Sequence, residues 1–328
     1  MKSISTLPLW LSIFIVAPLF AQTRPATQPS TVPLRSLGIA QVLGLDPKPP
    51  LRPKNLPAGA TMELDLHYGD APGRGQLLDL YLPEKITAPL PLLIWIHGGG
   101  WSGGDKAGCP ALAMIPRGYA VASLNYRLSQ EARFPAQIQD CKGAIRWLRA
   151  HAQQYHLDPQ HIGVWGASAG GHLVALLGTS GGEKEIEGNV GGNLDQSSAV
   201  QCVIDWFGPS DMSVFFDQAA TAPNIFKADP DRSPIATLFG GPVRDHLDLV
   251  RLANPITFVK KGNPPFLIVH GDKDTLVPVA QSEMLADALK KAGDEVSLEV
   301  LEGAGHGNGF DKPALRDLMA DFVDKHLK

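Results

Sequence analysis

The 328-residue chain reads as a doubly wound α/β protein built on a mostly parallel eight-stranded sheet with helices on both faces. Three observations predict this: six short apolar runs without a polar face, helical patterns filling the gaps between them, and two alternating segments ahead of them all. Met62–Tyr68 and Leu77–Tyr81 alternate polar and apolar residues, which suits an antiparallel pair near a sheet edge. Leu92–Ile96, Tyr119–Leu124, Ile162–Trp165, Val200–Ile204, Phe266–Val269 and Val296–Leu301 are the strands expected to be covered on both sides. Helical patterns run over Cys109–Pro116, Ala136–Gln153, Ser168–Leu177, Val279–Ala292 and Pro313–Lys328. Between Asp211 and Pro265 the rhythm breaks, with Pro223, Pro230, Pro234, Pro242 and Pro255 scattered through the segment. An insertion is expected there, lying above the sheet after the sixth strand.

Composition narrows the function. With 29 Lys+Arg against 33 Asp+Glu the formal charge is −4, and no run of five or six basic residues occurs. That argues against a nucleic-acid protein or an anionic-membrane binder working by bulk charge. Three cysteines, without C-x-x-C or zinc-spaced Cys/His, lead us to expect no structural metal, and no cofactor motif is present. Residues 1–21 have a charged start, an apolar stretch from Leu7 to Phe20 and a cleavage position after Ala21, the pattern of a signal peptide. The apolar stretch holds Pro8 and Pro18 and is shorter than the roughly 20 residues a spanning helix needs. A secreted or periplasmic protein, free of the membrane once the signal is cleaved, is the expectation. Residues 22–60 carry eight prolines (25, 29, 33, 47, 49, 50, 53 and 57) and read as an arm or linker, leaving 61–328 for the folded domain.

Chemistry concentrates at three places. Gly166-Ala167-Ser168-Ala169-Gly170 follows a strand and opens a helical run. So tight a turn leaves no room for neighbouring side chains, exposes the serine Oγ and sets a helix N-terminus beneath it. A serine hydroxyl needs a base oriented by an acid. His306 lies in the glycine-rich loop after Val296–Leu301, and Asp274 in His270-Gly271-Asp272-Lys273-Asp274 after Phe266–Val269. Both follow strands at the edge where Ser168 emerges, where open α/β sheets build their sites. Asp272 is the rival acid, but at the strand end it is better placed to fix the loop. His151, His156 and His161 read as solvent-facing, and His172 as packed. The third place is His97-Gly98-Gly99-Gly100-Trp101, where residues without side chains let backbone N–H groups face a substrate oxygen; with the N–H of Ala169 they would form an oxyanion hole.

HGGGW at 97–101, Asn125-Tyr126-Arg127-Leu128 with Glu131 and Phe134-Pro135-Ala136, GASAGG at 166–171, HGDKD at 270–274 and GAGHG at 303–307 together resemble the α/β-hydrolase esterases. Within them the match is to the hormone-sensitive-lipase-like branch and the bifunctional feruloyl and acetyl xylan esterase (BD-FAE) family, from about Thr61 onward. The resemblance implies the α/β-hydrolase fold, with Ser168, Asp274 and His306 as a triad in the chain order usual for that fold, and oxyanion donors among Gly99, Gly100 and Ala169. Which two of the three glycines donate stays open. It implies an ester substrate, an acylated carbohydrate such as acetylated or feruloylated xylan. The rivals are a generalist short-chain carboxylesterase, a prolyl-oligopeptidase-like peptidase, an arylformamidase and a non-catalytic binding protein. No counterpart of a helical N-terminal cap is seen, so any lid is expected from 211–265. Trp101, Trp206, Phe207 and Phe215 are substrate-binding candidates, since aromatic faces suit sugar or feruloyl rings, although Trp206, Phe207 and Phe215 also fit core positions. An exported chain would be able to join Cys109 to Cys141, with Cys202 a buried free thiol.

Overall fold

The computed structural model describes residue 53, residues 55–221 and residues 230–328. The expected signal peptide at 1–21 and the arm up to residue 52 lie outside the described residues, as does Pro223. Eight strands form one sheet: β1 (Thr61–His67), β2 (Leu77–Leu82), β3 (Leu90–Ile96), β4 (Ala120–Leu124), β5 (Leu157–Ala167), β6 (Cys202–Trp206), β7 (Phe266–Gly271) and β8 (Val296–Leu301), in the order β1-β2-β4-β3-β5-β6-β7-β8. β1 and β2 are antiparallel, β2 meets β4 antiparallel, and every pairing from β4 to β8 is parallel. The helices are α1 (Ala136–Ala150), α2 (Ala169–Thr179), α3 (Lys184–Glu187), α4 (Phe215–Thr221), α5 (Pro234–Phe239), α6 (Leu247–Ala253), α7 (Ala280–Ala292) and α8 (Pro313–Leu327), with a 3₁₀ helix at Pro110–Arg117. This is the expected α/β-hydrolase architecture.

The parallel strands lack a polar face because consecutive residues feed two separate cores. Leu92, Ile94 and Ile96 of β3 join α1, α2 and α7 in one, while Leu93 and Trp95 meet the 3₁₀ helix and α8 in the other. That partition corrects one expectation. Cys109 and Cys141 are buried free thiols in different cores, on opposite faces of the sheet, so no disulfide joins them. Cys202 is a buried free thiol as expected.

The sixth strand lies two residues later than its apolar run suggested. Gln201 only leads in, donating its N–H to the Ile162 carbonyl, and the ladder runs from Gly163↔Cys202 to Ala167↔Trp206. Asp205 therefore sits inside a strand, where sequence periodicity places no carboxylate. The described residues of the insertion after β6 include the short helices α4, α5 and α6, and Pro230, Pro234 and Pro255 open helical turns rather than break them. At α5, Ser233 accepts the Ala236 N–H at 3.1 Å and Pro234 takes the first turn, where its missing N–H costs nothing.

β3 sits between β4 and β5, so the winding reverses at the β3/β5 pair, which ends at Ile96↔Gly166. The loops that leave these two strands at their carboxyl ends are the glycine loop 98–100 and the Ser168 turn. A reversal of strand order opens the crevice where such sheets bind ligands.

Candidate active site

The turn between β5 and α2 forces Ser168 to φ 57°, ψ −119°, a strained backbone for a residue with a Cβ. Close packing maintains it. A Cβ on Gly166 would lie 2.3 Å from the Gly170 carbonyl oxygen, and one on Gly170 only 2.1 Å from that of Ile96. Ser168 N–H is held by the Trp206 carbonyl at 2.8 Å, which leaves Oγ free to face the crevice.

Oγ donates to His306 Nε2 at 2.9 Å, and His306 Nδ1–H donates to Asp274 Oδ2 at 2.6 Å. An ionised carboxylate only accepts, so it sets the imidazole proton on Nδ1 and leaves the Nε2 lone pair facing Oγ. Asp274 is 8% exposed. Burial by itself would raise its pKa, but His270 Nε2 at 3.4 Å, His306 and the Val277 N–H outweigh it, and the carboxyl is held well below the usual carboxylate range. Its second oxygen accepts the N–H groups of Leu276 and Val277 at 2.7 and 2.9 Å. Asp272 instead accepts the Gly303 N–H at 2.7 Å and fixes the loop that carries His306. The structure thus brings together Ser168, His306 and Asp274, whose outermost members come from separate strand ends 138 residues apart.

Gly99 and Gly100 adopt φ of 116° and 59°. The Gly98 carbonyl is tied to His97 Nδ1 at 2.8 Å, and the Gly99 carbonyl to the Ser102 and Gly103 N–H groups at 3.2 and 3.0 Å. A trans peptide directs its N–H opposite to its C=O, so the N–H groups of Gly99 and Gly100 are aimed away from those ties. Ala169 begins α2, and its N–H is among the first-turn donors without an intrahelical acceptor. Gly99, Gly100 and Ala169 line the same cavity as Ser168 and His306.

That cavity holds about 400 Å³ and is walled by Trp101, Phe207, Pro209, Phe215, Ser233, Pro234, Ile235, Leu276 and Val277. Of the aromatic candidates, Trp101, Phe207 and Phe215 line it, and the Phe207 ring centroid stands 4.4 Å from that of His306. Trp206 does not: its indole packs with Trp95, Trp165 and Phe310 in the core beside α8. Alternation within β6 puts Trp206 on the same face as Cys202 and Ile204, toward this core. Nothing in the sequence marks Pro209, Ser233, Ile235, Leu276 or Val277 as part of a cavity wall. Only the proline-studded break at 211–265 signalled that part of the wall. The Ser233 hydroxyl is already engaged by the Pro230 carbonyl and the Ala236 N–H, so the wall offers a ligand apolar surface.

Asn125, Arg127 and Glu131, part of the motif set, turn out to build the scaffold. Asn125 accepts the Lys106 N–H at 2.7 Å, Arg127 grips the buried Asp140 through Nε and Nη2, and Glu131 accepts the Leu128 N–H at 2.7 Å.

Comparison with known proteins agrees with this geometry. The BD-FAE family model matches residues 78–289. Esterase LipC of Mycobacterium tuberculosis is 33% identical over 245 residues, 73% of this chain and 58% of that protein. The chain spans little more than half the length of such curated relatives, between 52% and 62% for LipC, LipQ and LipM. Among solved structures, a truncated form of a carbohydrate esterase from gut microbiota has a TM-score of 0.76 at 36% identity, covering 84% of this chain and 99% of that one. A bifunctional GH43-CE protein of Bacteroides eggerthii has a TM-score of 0.75 at 35% identity, covering 81% of this chain and 35% of that one. With the family model spanning most of the sheet and both loops at the β3/β5 reversal, the chain belongs to the BD-FAE family and carries its α/β-hydrolase fold.

Proposed function

We propose that the protein is an exported serine esterase that removes acetyl groups, with feruloyl groups as the secondary candidate, from plant cell-wall polysaccharide such as xylan, with Ser168, His306 and Asp274 as its catalytic triad. The observation that carries the catalytic reading is the unbroken Ser168–His306–Asp274 hydrogen-bond chain, 2.9 and 2.6 Å long, at the mouth of a cavity. The carbohydrate reading is supported by the similarity to a carbohydrate esterase and by the resemblance in the motifs. Export is supported by the leader-like residues 1–21.

In this reading His306 Nε2 takes the hydroxyl proton as Ser168 Oγ attacks the ester carbonyl. The oxyanion is met by two or three of the Gly99, Gly100 and Ala169 N–H groups, one such donor being worth roughly 10²–10³ in rate. As the tetrahedral intermediate collapses, His306 passes the proton to the departing alcohol and an acyl-Ser168 ester remains. Water, deprotonated by the same imidazole, then releases the acid. Asp274 keeps the proton on Nδ1 throughout.

A second reading, a generalist short-chain carboxylesterase, is favoured by the cavity wall, whose described side chains outside the triad are apolar or, like Ser233 and Trp101, already hydrogen-bonded. Acetate and ferulate release from acetylated and feruloylated xylan, measured beside p-nitrophenyl acetate, separates the two. Release from polymer that disappears in Ser168→Ala is expected. Cleavage of the aryl acetate with none of the polymer would move the assignment to the generalist, and full activity in Ser168→Ala would remove the triad itself.

A further inference from the structure

His172 lies one turn beyond Ser168 on α2, and its own N–H donates to the Ser168 carbonyl at 2.9 Å. Its imidazole is fully buried and takes no part in the triad. Two neighbours define it. On one side the Ala253 carbonyl, at the end of α6, lies 2.7 Å from Nε2; on the other, Trp101 Nε1 lies 3.2 Å from Nδ1, with the two rings edge to face at 5.3 Å. A carbonyl only accepts and an indole N–H only donates. One arrangement satisfies both: Nε2–H donating to Ala253, and the Nδ1 lone pair accepting from Trp101. Burial agrees, because it drives the imidazole pKa down to about 4 and keeps the ring neutral.

Trp101 is the residue that needs such an anchor. It follows Gly99 and Gly100, sits at φ 55°, a conformation costly for a bulky side chain, and lines the cavity. Its carbonyl is tied by the Ser129 N–H at 2.8 Å and hydroxyl at 3.1 Å, and its indole by His172.

We propose that His172 is a positioning residue for the oxyanion loop: by accepting the Trp101 indole N–H while donating to Ala253, it locks the loop, the nucleophile helix and the insertion in one register. The inference rests on Gly99 and Gly100 acting as oxyanion donors. His172 never touches substrate, so its effect falls on kcat, where the oxyanion is stabilised, and not on ground-state binding.

Three substitutions separate anchoring from simple packing. Asn sets its Oδ1 near the Nδ1 position and can still accept from Trp101; Gln reaches Ala253 instead; Trp101→Phe deletes only the indole donor. With p-nitrophenyl acetate, His172→Gln and Trp101→Phe are each expected to lose about 10-fold in kcat with KM within about 2-fold, the size of one misplaced hydrogen-bond donor. His172→Asn should recover most of that loss. The Gln/Phe double variant should be no slower than either single one, because both remove the same bond. Melting curves identify any variant that fails to fold, and the Trp101→Phe comparison stands without a change at position 172. Unchanged kcat in Trp101→Phe and His172→Gln, or equal losses in Asn and Gln with an additive double variant, would overturn the proposal. Ser168→Ala run alongside keeps the readings apart: if it abolishes turnover while the His172 variants stay normal, only the positioning role fails.

Discussion

Two buried side chains near Ser168 make opposite demands on pH. The Asp205 carboxyl, fully buried on β6 with one oxygen accepting the Gly208 N–H at 2.9 Å and the other without a hydrogen bond, is pushed up to about 6 by its burial. Above that pH the folded protein must hold a buried charge, and the cost is relieved as pH falls toward the ordinary carboxylate range. For His172, whose folded pKa is driven down to about 4, the unfolded chain takes up the proton first, so stability is lost as pH falls below the ordinary imidazole value. Each effect is on the order of 3 kcal/mol at full extent, and across pH 4–6 they oppose one another. The wild-type melting temperature should therefore change little in that window on account of these two groups. His172→Asn should gain relative to wild type as the pH drops from about 6.5 toward 4, and Asp205→Asn should gain relative to wild type as the pH rises from about 4 to 6, a gain that then stays constant at higher pH. Calorimetry of both variants from pH 4.5 to 8 checks this, and parallel curves for all three proteins would refute the assignment of either group.

At the scale of elements, the insertion after β6 decides what fits the cavity. α5 is short, capped by Ser233 and begun by Pro234. Its first turn leans directly on the glycine loop 98–100, since a Cβ on Gly100 would meet Pro234 Cβ at 3.0 Å. Ile235 follows into the same wall. Truncating it enlarges the cavity without touching the triad, so Ile235→Ala should raise the kcat/KM ratio of p-nitrophenyl hexanoate to acetate by about 5-fold or more, the worth of one or two methylenes in an apolar pocket. A ratio unchanged from wild type would mean that the acyl chain does not lie against α5. The motif residues behave differently. Glycines 166 and 170 declare themselves in sequence because their constraint is local, whereas nothing in Pro234-Ile235 announces a cavity wall.

For the molecule as a whole, the antiparallel edge is fastened to the parallel sheet by a buried polar tie. Asp140 on α1, with no exposure, accepts from Gln76 Nε2 at 2.7 Å and from Arg127 N–H and Nε, each at 2.8 Å. Gln76 precedes β2 and Arg127 follows β4, so one carboxylate joins these two neighbouring strands to a crossover helix. Removing it strands the guanidinium and the amide, and Asp140→Ala should cost about 3–5 kcal/mol. Urea denaturation measures it; a loss below about 1 kcal/mol would show that water replaces the tie.

The strands, the crossover helices, the order of Ser168, Asp274 and His306 and the glycine loop were legible in the sequence because each rests on a local constraint: side-chain period, turn sterics, or a residue type that a given chemistry requires. Within that reading, β6 was displaced by two residues because a buried Asp205 looks polar to any periodicity rule, and Trp206 was counted toward the cavity because sequence does not say which face a strand residue takes. What only the tertiary structure decided was which of these local pieces share a volume. The cavity wall joins the ends of β3, β6 and β7 to a helix of the insertion. The Trp101–His172–Ala253 contact joins three segments that have no common pattern, and the separation of Cys109 from Cys141 follows from the sheet lying between them. Such contacts depend on the winding of the sheet and on packing between residues far apart in the chain, and neither leaves a period in the sequence.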